Sequence, residues 1–276
     1  HATILCFTNL GKVYWLKVYQ IPVAGRNSRG RPVVNLLPLD EGERISSILP
    51  VEEYSADKFV LMATANGTVK KTSLDQYSRP RSVGLRAVDL VEDDYLVGTA
   101  IIDDGSDVML FSSEGKAVRF ASTDARAMGR VSKGVRGMRL PEGQKVIAMV
   151  IPEDEGYLLT VCQNGYGKRT KVEEFPTKGR GGKGMIAIQA SERNGPLVGT
   201  AQLFVGDEIM LISDQGTMVR TRGDEVSVVG RNTQGVRIIR LKENENLVSL
   251  ARIAEPEDEE FIESDQDKNT EASPED

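Results

Sequence analysis

Residues 59–72 read FVLMATANGTVKKT: an apolar run, an Asn66-Gly67 pair, then a second run ending in cations. Asn-Gly suits the two-residue turn of a β-hairpin, whose central positions need positive φ. The stretch is therefore two antiparallel strands and their turn. The pattern recurs as ILCFTNLGKVYWLK from Ile4, VMLFSSEGKAVRF from Val108, YLLTVCQNGYGKRT from Tyr157 and IMLISDQGTMVRT from Ile209. The turn glycines, at 11, 67, 115, 165 and 216, lie 48 to 56 residues apart. A fixed period of that length marks an array of like units.

Each copy continues with two more apolar segments around a polar turn. Examples are GLRAVDLVEDDYLVGTAII from Gly84, GVRGMRLPEGQKVIAMVIP from Gly134 and GVRIIRLKENENLVSLARI from Gly235. Taken as a second hairpin, this gives four strands per unit, and such units in series make a propeller-type array. No helical periodicity of three turns or more interrupts them. The expected fold is all-β: a propeller-like array of about five four-stranded blades over residues 1–254. Arrays need closure or capping, and the first copy begins at the chain's start, so a further blade is expected before it.

The remaining 22 residues differ in kind. From Glu255 to Asp276 the chain places eleven of its 41 acids and one of its 35 bases, Lys268. That leaves 30 acids against 34 bases in the body, a charge of +4 facing −10. A segment so charged and so poor in apolar side chains is expected to be a disordered acidic tail, able to compete for the body's basic surface.

The run KGRGGKG, residues 178–184, contains G-x-G-x-x-G and invites a nucleotide reading. That fingerprint requires a preceding strand and a following helix to receive the pyrophosphate, and here EFP precedes and MIAIQA follows. The Walker phosphate loop fails as well, because Gly184 follows Lys183 where a magnesium-binding Ser or Thr belongs. The run is one version of a loop present in every copy: AGRNSRG (24–30), SRPRSVG (78–84), MGRVSKG (128–134), KGRGGKG and VGRNTQG (229–235). All end in Gly, and four have Arg third: Arg26, Arg130, Arg180 and Arg231. The other has Pro80 there between Arg79 and Arg81.

Further cations repeat in register. Four residues after each hairpin glycine stand Lys71, Arg119, Arg169 and Arg220, with Trp15 in the first copy. Two residues after the loop glycine stand Arg86, Arg136 and Arg237. Together with Arg29, Arg31, Lys133, Lys178 and Lys183, these make the expected contact set: a belt spaced by blades. Any single one of them could equally be a solvated surface cation. A belt suits a duplex backbone better than a small anion, because phosphate contacts at regular intervals need no base readout. Aromatic residues are only 5% of the chain, too few for the stacking platforms of single-strand binders. About ten phosphate contacts would give a log-affinity against log-salt slope near −9.

Catalysis has little to work with. The sole histidine is His1, so a Ser-His-Asp or Cys-His arrangement is not expected, nor a bound cofactor or metal. Asp93-Asp94 and Asp103-Asp104 fall in turns and are expected to be solvated. Cys6 and Cys162, far apart, are expected as reduced core thiols. No apolar run reaches the ~18 residues of a membrane helix. The expected setting is cytoplasmic, with no membrane partner.

The runs GRPVVNLLPL (30–39), ATANGTVKKT (63–72), VMLFSSEGKAVRF (108–120), QNGYGKRT (163–170) and VGRNTQGV (229–236) closely resemble the C-terminal domain of bacterial DNA gyrase A. The resemblance runs from about Ile4 to Glu255, and the acidic tail also fits it. It implies a β-pinwheel of about six blades when complete, wrapping double-stranded DNA with positive handedness. It implies partnership with the rest of gyrase A and with gyrase B in an A2B2 enzyme that introduces negative supercoils. In that family ATP, magnesium and the cleavage tyrosine belong to other domains. The family's heptad Q-R-R-G-G-K-G does not occur here; its nearest echo is 178–184, with Lys178 and Gly179 in place of Gln and Arg. The heptad's blade is expected before residue 1. The corresponding domain of topoisomerase IV, which lacks a good heptad, is the alternative within the family. A propeller that scaffolds acidic protein partners is the alternative outside it.

Overall fold

The computed structural model describes residues 2–25 and 29–254. The stretch 59–72 is the hairpin that its Asn-Gly pair demands. Lys58–Thr64 pairs with Thr68–Ser73 in the register Phe59↔Ser73, Leu61↔Lys71, Ala63↔Val69. Val60, Leu61, Met62 and Ala63 are all buried. An unbroken apolar run, rather than an alternating one, is what a strand covered on both faces requires. Leu96–Asp103 joins the free side of the first strand.

The fourth strand of each sheet comes from the next repeat. Val135–Arg136 of the third repeat pairs with Thr68–Ser73. Likewise Leu85–Arg86 pairs with Lys12–Lys17, Met185–Ile186 with Lys116–Ala121 and Val236–Arg237 with Tyr166–Lys171. The expected second hairpin is thus divided between two sheets: its short first arm goes to the preceding blade and its long second arm stays. Four sheets have four strands, and the fifth, made of Glu208–Ser213, Met218–Arg222 and Leu247–Ile253, has three among the described residues. Its missing member corresponds to the strand that a following repeat supplies in the other blades.

Blades are numbered here by repeat. The long strands Ile45–Val51, Leu96–Asp103, Val146–Val150, Leu197–Leu203 and Leu247–Ile253 pack on one another in succession. They form the hub, and the exchanged two-residue strands lie at the opposite edge of each sheet, the rim.

The core sits between blades. Val60 and Met62 pack toward blade 1 with Leu5, Phe7, Leu74 and Tyr77, whereas Leu61 and Ala63 pack toward blade 3 with Val108, Leu110 and Phe120. Successive side chains of one strand serve opposite neighbours, as the pleat dictates. Each fully buried apolar side chain stabilises the contact by about 1.5–3 kcal/mol. Phe7 and Tyr77 meet edge to face at 5.9 Å. On blade 1, Leu37 and its neighbours Leu36 and Leu39 cover Cys6, Tyr14 and Leu16. Cys6 and Cys162 are both free and buried, and burial pushes their thiols up to about 11 and about 12.

Candidate nucleic-acid interface

The loops that the sequence aligns are built on the rim edge of the preceding blade. In blade 2, the strand Thr68–Ser73 takes Ala127 opposite Lys71 and Val135 opposite Val69. Residues 128–134 must therefore bulge outward between these two feet. Blade 4 repeats the arrangement, with Val228 opposite Arg169 and Val236 opposite Gly167. In blade 3 the feet are Lys178, whose amide donates to Arg119 O at 2.8 Å, and Met185, opposite Ala117. The glycine that closes each of these loops is not optional. Gly134 has φ +100°, and a Cβ there would lie 2.5 Å from Val69 O. Gly235 is in the same position against Gly167 O.

Successive loops are stitched together. The amides of Asp89, Arg139 and Gln189 donate to Ser132 O, Gly182 O and Thr233 O of the next loop at 3.3, 2.9 and 2.9 Å. Arg180 Nη1 donates to Arg136 O at 2.7 Å, and Arg231 Nη1 donates to Ile186 O at 3.1 Å. The loop arginines thus act first as cross-ties along the rim. Arg180 Nε also donates to Asp124 O at 3.1 Å, and Arg231 lies 5.8 Å from the Phe175 ring.

Between the cross-ties the rim carries cations that face solvent. Arg79, Arg81, Lys133, Arg136, Lys178 and Lys183 are exposed, and their side chains have no hydrogen-bond or ion-pair partner among the described residues. Arg130 is half-buried and similarly unpaired. Arg86 meets Asp89 at 3.3 Å, and Arg237 donates to Tyr166 Oη at 2.6 Å. Arg29 and Arg31 are exposed in the first repeat, and among the described residues nothing pairs their segment to a blade edge. Arg26 lies outside the described residues, as does the acidic tail 255–276.

In the column four residues after each hairpin glycine, Lys71, Arg119 and Arg169 are a correction, whereas the Arg220 side chain is 59% exposed. Lys71 and Arg169 have side chains only 5% and 9% exposed, and Arg119 only 12%. Each pairs with an acid: Lys71 with Asp104 at 2.8 Å, Arg119 with Asp107 at 2.7 Å, Arg169 with Asp224 at 3.1 Å. Each also braces the following repeat, by donating to Ser122 O, to Val172 O and Phe175 O, and to Val226 O. Trp15 does the same in the first repeat, its Nε1 donating to Tyr77 O at 2.8 Å. An indole and three cations share one duty: tying a blade to carbonyls in or just after the next repeat's 3-10 turn. Arg220 pairs with Glu208 in the blade that has no described successor. The acid pairs expected to be solvated also have structural work: Asp104 holds Lys71, and Asp94 accepts from the Asn66 and Tyr95 amides.

Two residues escaped sequence reasoning. Lys70 and Lys168, each immediately before a brace residue, are 1% and 0% exposed. Lys70 Nζ donates to Ala87 O and Arg130 O. Lys168 Nζ donates to Gly230 O at 2.7 Å, Arg231 O at 2.5 Å and Thr233 Oγ1 at 3.1 Å. Burial, reinforced by the charge of Arg130 and opposed by Asp89, brings Lys70 down to about 7. Burial also brings Lys168 down to about 8, with Arg231 lowering it while Glu174 and Cys162 raise it. The available signal was a doubled cation, KK or KR, at the middle of a strand that is otherwise interior.

A sequence profile for the DNA gyrase C-terminal domain, beta-propeller, matches residues 2–52, 58–103, 106–153, 156–202 and 207–254, one segment per blade. DNA gyrase A of Salmonella typhimurium is 55% identical over 264 residues, which cover 96% of this chain and 30% of that protein. The Escherichia coli protein is 54% identical over the same length. The chain thus spans about a third of the length of the curated relatives it matches. Among solved structures, a DNA gyrase A C-terminal domain superposes with TM-score 0.80 at 27% identity, covering 92% of this chain and 83% of that one. The C-terminal domain of DNA topoisomerase IV superposes with TM-score 0.84 at 24% identity, covering 91% and 79%, a likeness of fold. With every blade matched and gyrase A relatives at half identity or more, the chain belongs to the DNA gyrase C-terminal domain family.

Proposed function

We propose that this chain binds duplex DNA along the stitched rim and bends it around the blades. It would act as the wrapping part of a cytoplasmic gyrase A. Gyrase B, a second copy of gyrase A, ATP and magnesium would join it in the whole enzyme, and bond breakage would take place outside this chain. The observation that carries the proposal is the rim itself. Consecutive loops are fixed to one another through backbone bonds, and six cations between the fixed points, Arg79, Arg81, Lys133, Arg136, Lys178 and Lys183, are left exposed with no partner among the described residues. A rigid row of unpaired charges matches a polyanion of regular spacing, and the contacts it makes offset a bending cost of several kcal/mol.

Removal of the brace column shortens the contact set. Arg79, Arg81, Arg86, Lys133, Arg136, Lys178, Lys183 and Arg237 are the direct ligands of the stitched rim, with Arg180 and Arg231 as the posts between them and Arg26, Arg29, Arg31, Arg130 and Arg220 as further candidates. About eight phosphate contacts give a log-affinity against log-salt slope near −7 instead of −9. Duplex binding measured from 50 to 300 mM salt tests this. An affinity nearly independent of salt would defeat the proposal, and a slope near −9 would return the brace residues to the contact set.

A further inference from the structure

The rim loops on blades 2, 3 and 4 each stand on two feet, and one residue of the supporting strand lies between them. In blade 2 that residue is Lys70, flanked by Val69 and Lys71. In blade 4 it is Lys168, flanked by Gly167 and Arg169. Both ammonium groups sit under their loops and draw carbonyl oxygens inward, Arg130 O in one case and Gly230 O and Arg231 O in the other. A trans peptide directs its N–H opposite to its C=O. Drawing in the carbonyls of Arg130 and Arg231 therefore turns the amides of Val131 and Asn232 outward. Both residues are exposed, and neither amide has an acceptor among the described residues.

Blade 3 supplies the internal comparison. The position between its feet is Val118, which has no charge to offer. There the residue aligned with Val131 and Asn232 is Gly181, with φ +79°, and its amide turns inward to Gly137 O at 2.7 Å. A cavity of about 220 Å3 bordered by Val118, Lys178 and Lys183 remains beneath the loop. With the ammonium absent, the peptide faces the other way and two glycines occupy the loop's centre.

We propose that Lys70 and Lys168 are positioning residues for phosphate recognition, holding the 130–131 and 231–232 peptides so that the Val131 and Asn232 amides donate to the DNA backbone. This deepens the reading of the rim as a duplex-binding surface and rests on it. Two modes of grip then alternate around the rim. Blades 2 and 4 present backbone amides beside a guanidinium, and blade 3 presents Lys178 and Lys183 on a glycine loop.

The hold depends on the ammonium charge, which Asp89 and Arg130 face at Lys70, and Glu174, Arg231 and Cys162 face at Lys168. With their pKa brought down to about 7 and about 8, both lysines are charged at pH 6 and mostly neutral at pH 9. The buried thiols titrate well above that window.

The test compares the full chain with the double variant K70M/K168M in duplex binding at fixed salt, at pH 6 and pH 9. Amide NMR of the wild type, with and without duplex, accompanies it. The wild type is expected to bind about tenfold more weakly at pH 9, as loss of a charge-assisted hold implies. The variant should bind at the weaker level at both pH values. The Val131 and Asn232 amide signals should move on adding DNA, while that of Gly181 does not. Wild-type affinity unchanged between pH 6 and 9, or those two amides unmoved by DNA, overturns the proposal. Should the double variant not fold, the wild-type pH comparison and amide signals decide alone. Absence of any salt-dependent duplex binding defeats the rim reading and this proposal together, whereas intact but pH-independent binding defeats only this one.

Discussion

Lys71, Arg119 and Arg169 recur in register as faithfully as the rim arginines, yet they point inward. Recurrence in a sequence reports that a position matters in every repeat; it does not report which way the side chain leaves the strand. Trp15 was the clue to the difference, since an indole can replace a cation that donates to a carbonyl but not one that neutralises a phosphate. The distinction is measurable. Arg169→Met removes donors to Val226 O and Asp224 while leaving nothing on the rim changed. It should lower unfolding free energy by about 1–3 kcal/mol, because the Val226 and Asp224 carbonyls lose a charged donor. Its salt slope for duplex binding should equal that of the wild type. Lys183→Gln, at an exposed and unpaired cation, should do the reverse: melting temperature unchanged, slope smaller by about 0.9. Denaturant unfolding and filter binding on both variants separate the roles, and equal slopes for the two would remove Lys183 from the contact set.

At the scale of elements, the hairpins were legible because a strand buried on both faces needs a long apolar run and a turn needs glycine. The exchanged strands were not. A two-residue strand such as Val135–Arg136 is too short to show alternation, and its partner lies in the preceding repeat. What the sequence did carry was the glycine before it. Gly134 combines a left-handed backbone with a would-be Cβ only 2.5 Å from Val69 O, so Gly134→Ala meets strain and collision together. The variant should lose about 2 kcal/mol or more of stability. Gly30, aligned with it in the first repeat, has open space around its Cβ position and no positive φ. Gly30→Ala should therefore change stability by less than ~0.5 kcal/mol. Urea midpoints for the pair test whether loop-final glycines matter only where a loop is pinned to a blade edge; equal losses would refute that.

For the whole molecule, blade count and class followed from the period, and the family followed from loop runs such as VGRNTQGV. The layout of charge was legible only in part. Of the cations read as one belt, some became braces between blades, and the ones left on the rim belong to loops fixed to one another. That outcome bears on the acidic segment 255–276, which carries a charge of −10 against +4 for the rest of the chain. A polyanion tethered to a row of unpaired cations competes with DNA at the effective concentration set by its tether, and the competition is screened by salt. Deleting residues 255–276 should therefore tighten duplex binding several-fold at 50 mM salt and by little at 300 mM, where the Debye length falls to about 6 Å. Titrating a fixed duplex with the full and shortened chains at both salt concentrations measures this. Equal affinities at 50 mM would mean that the tail does not reach the rim, and a gain that persists at 300 mM would mean that it acts through something other than its charge.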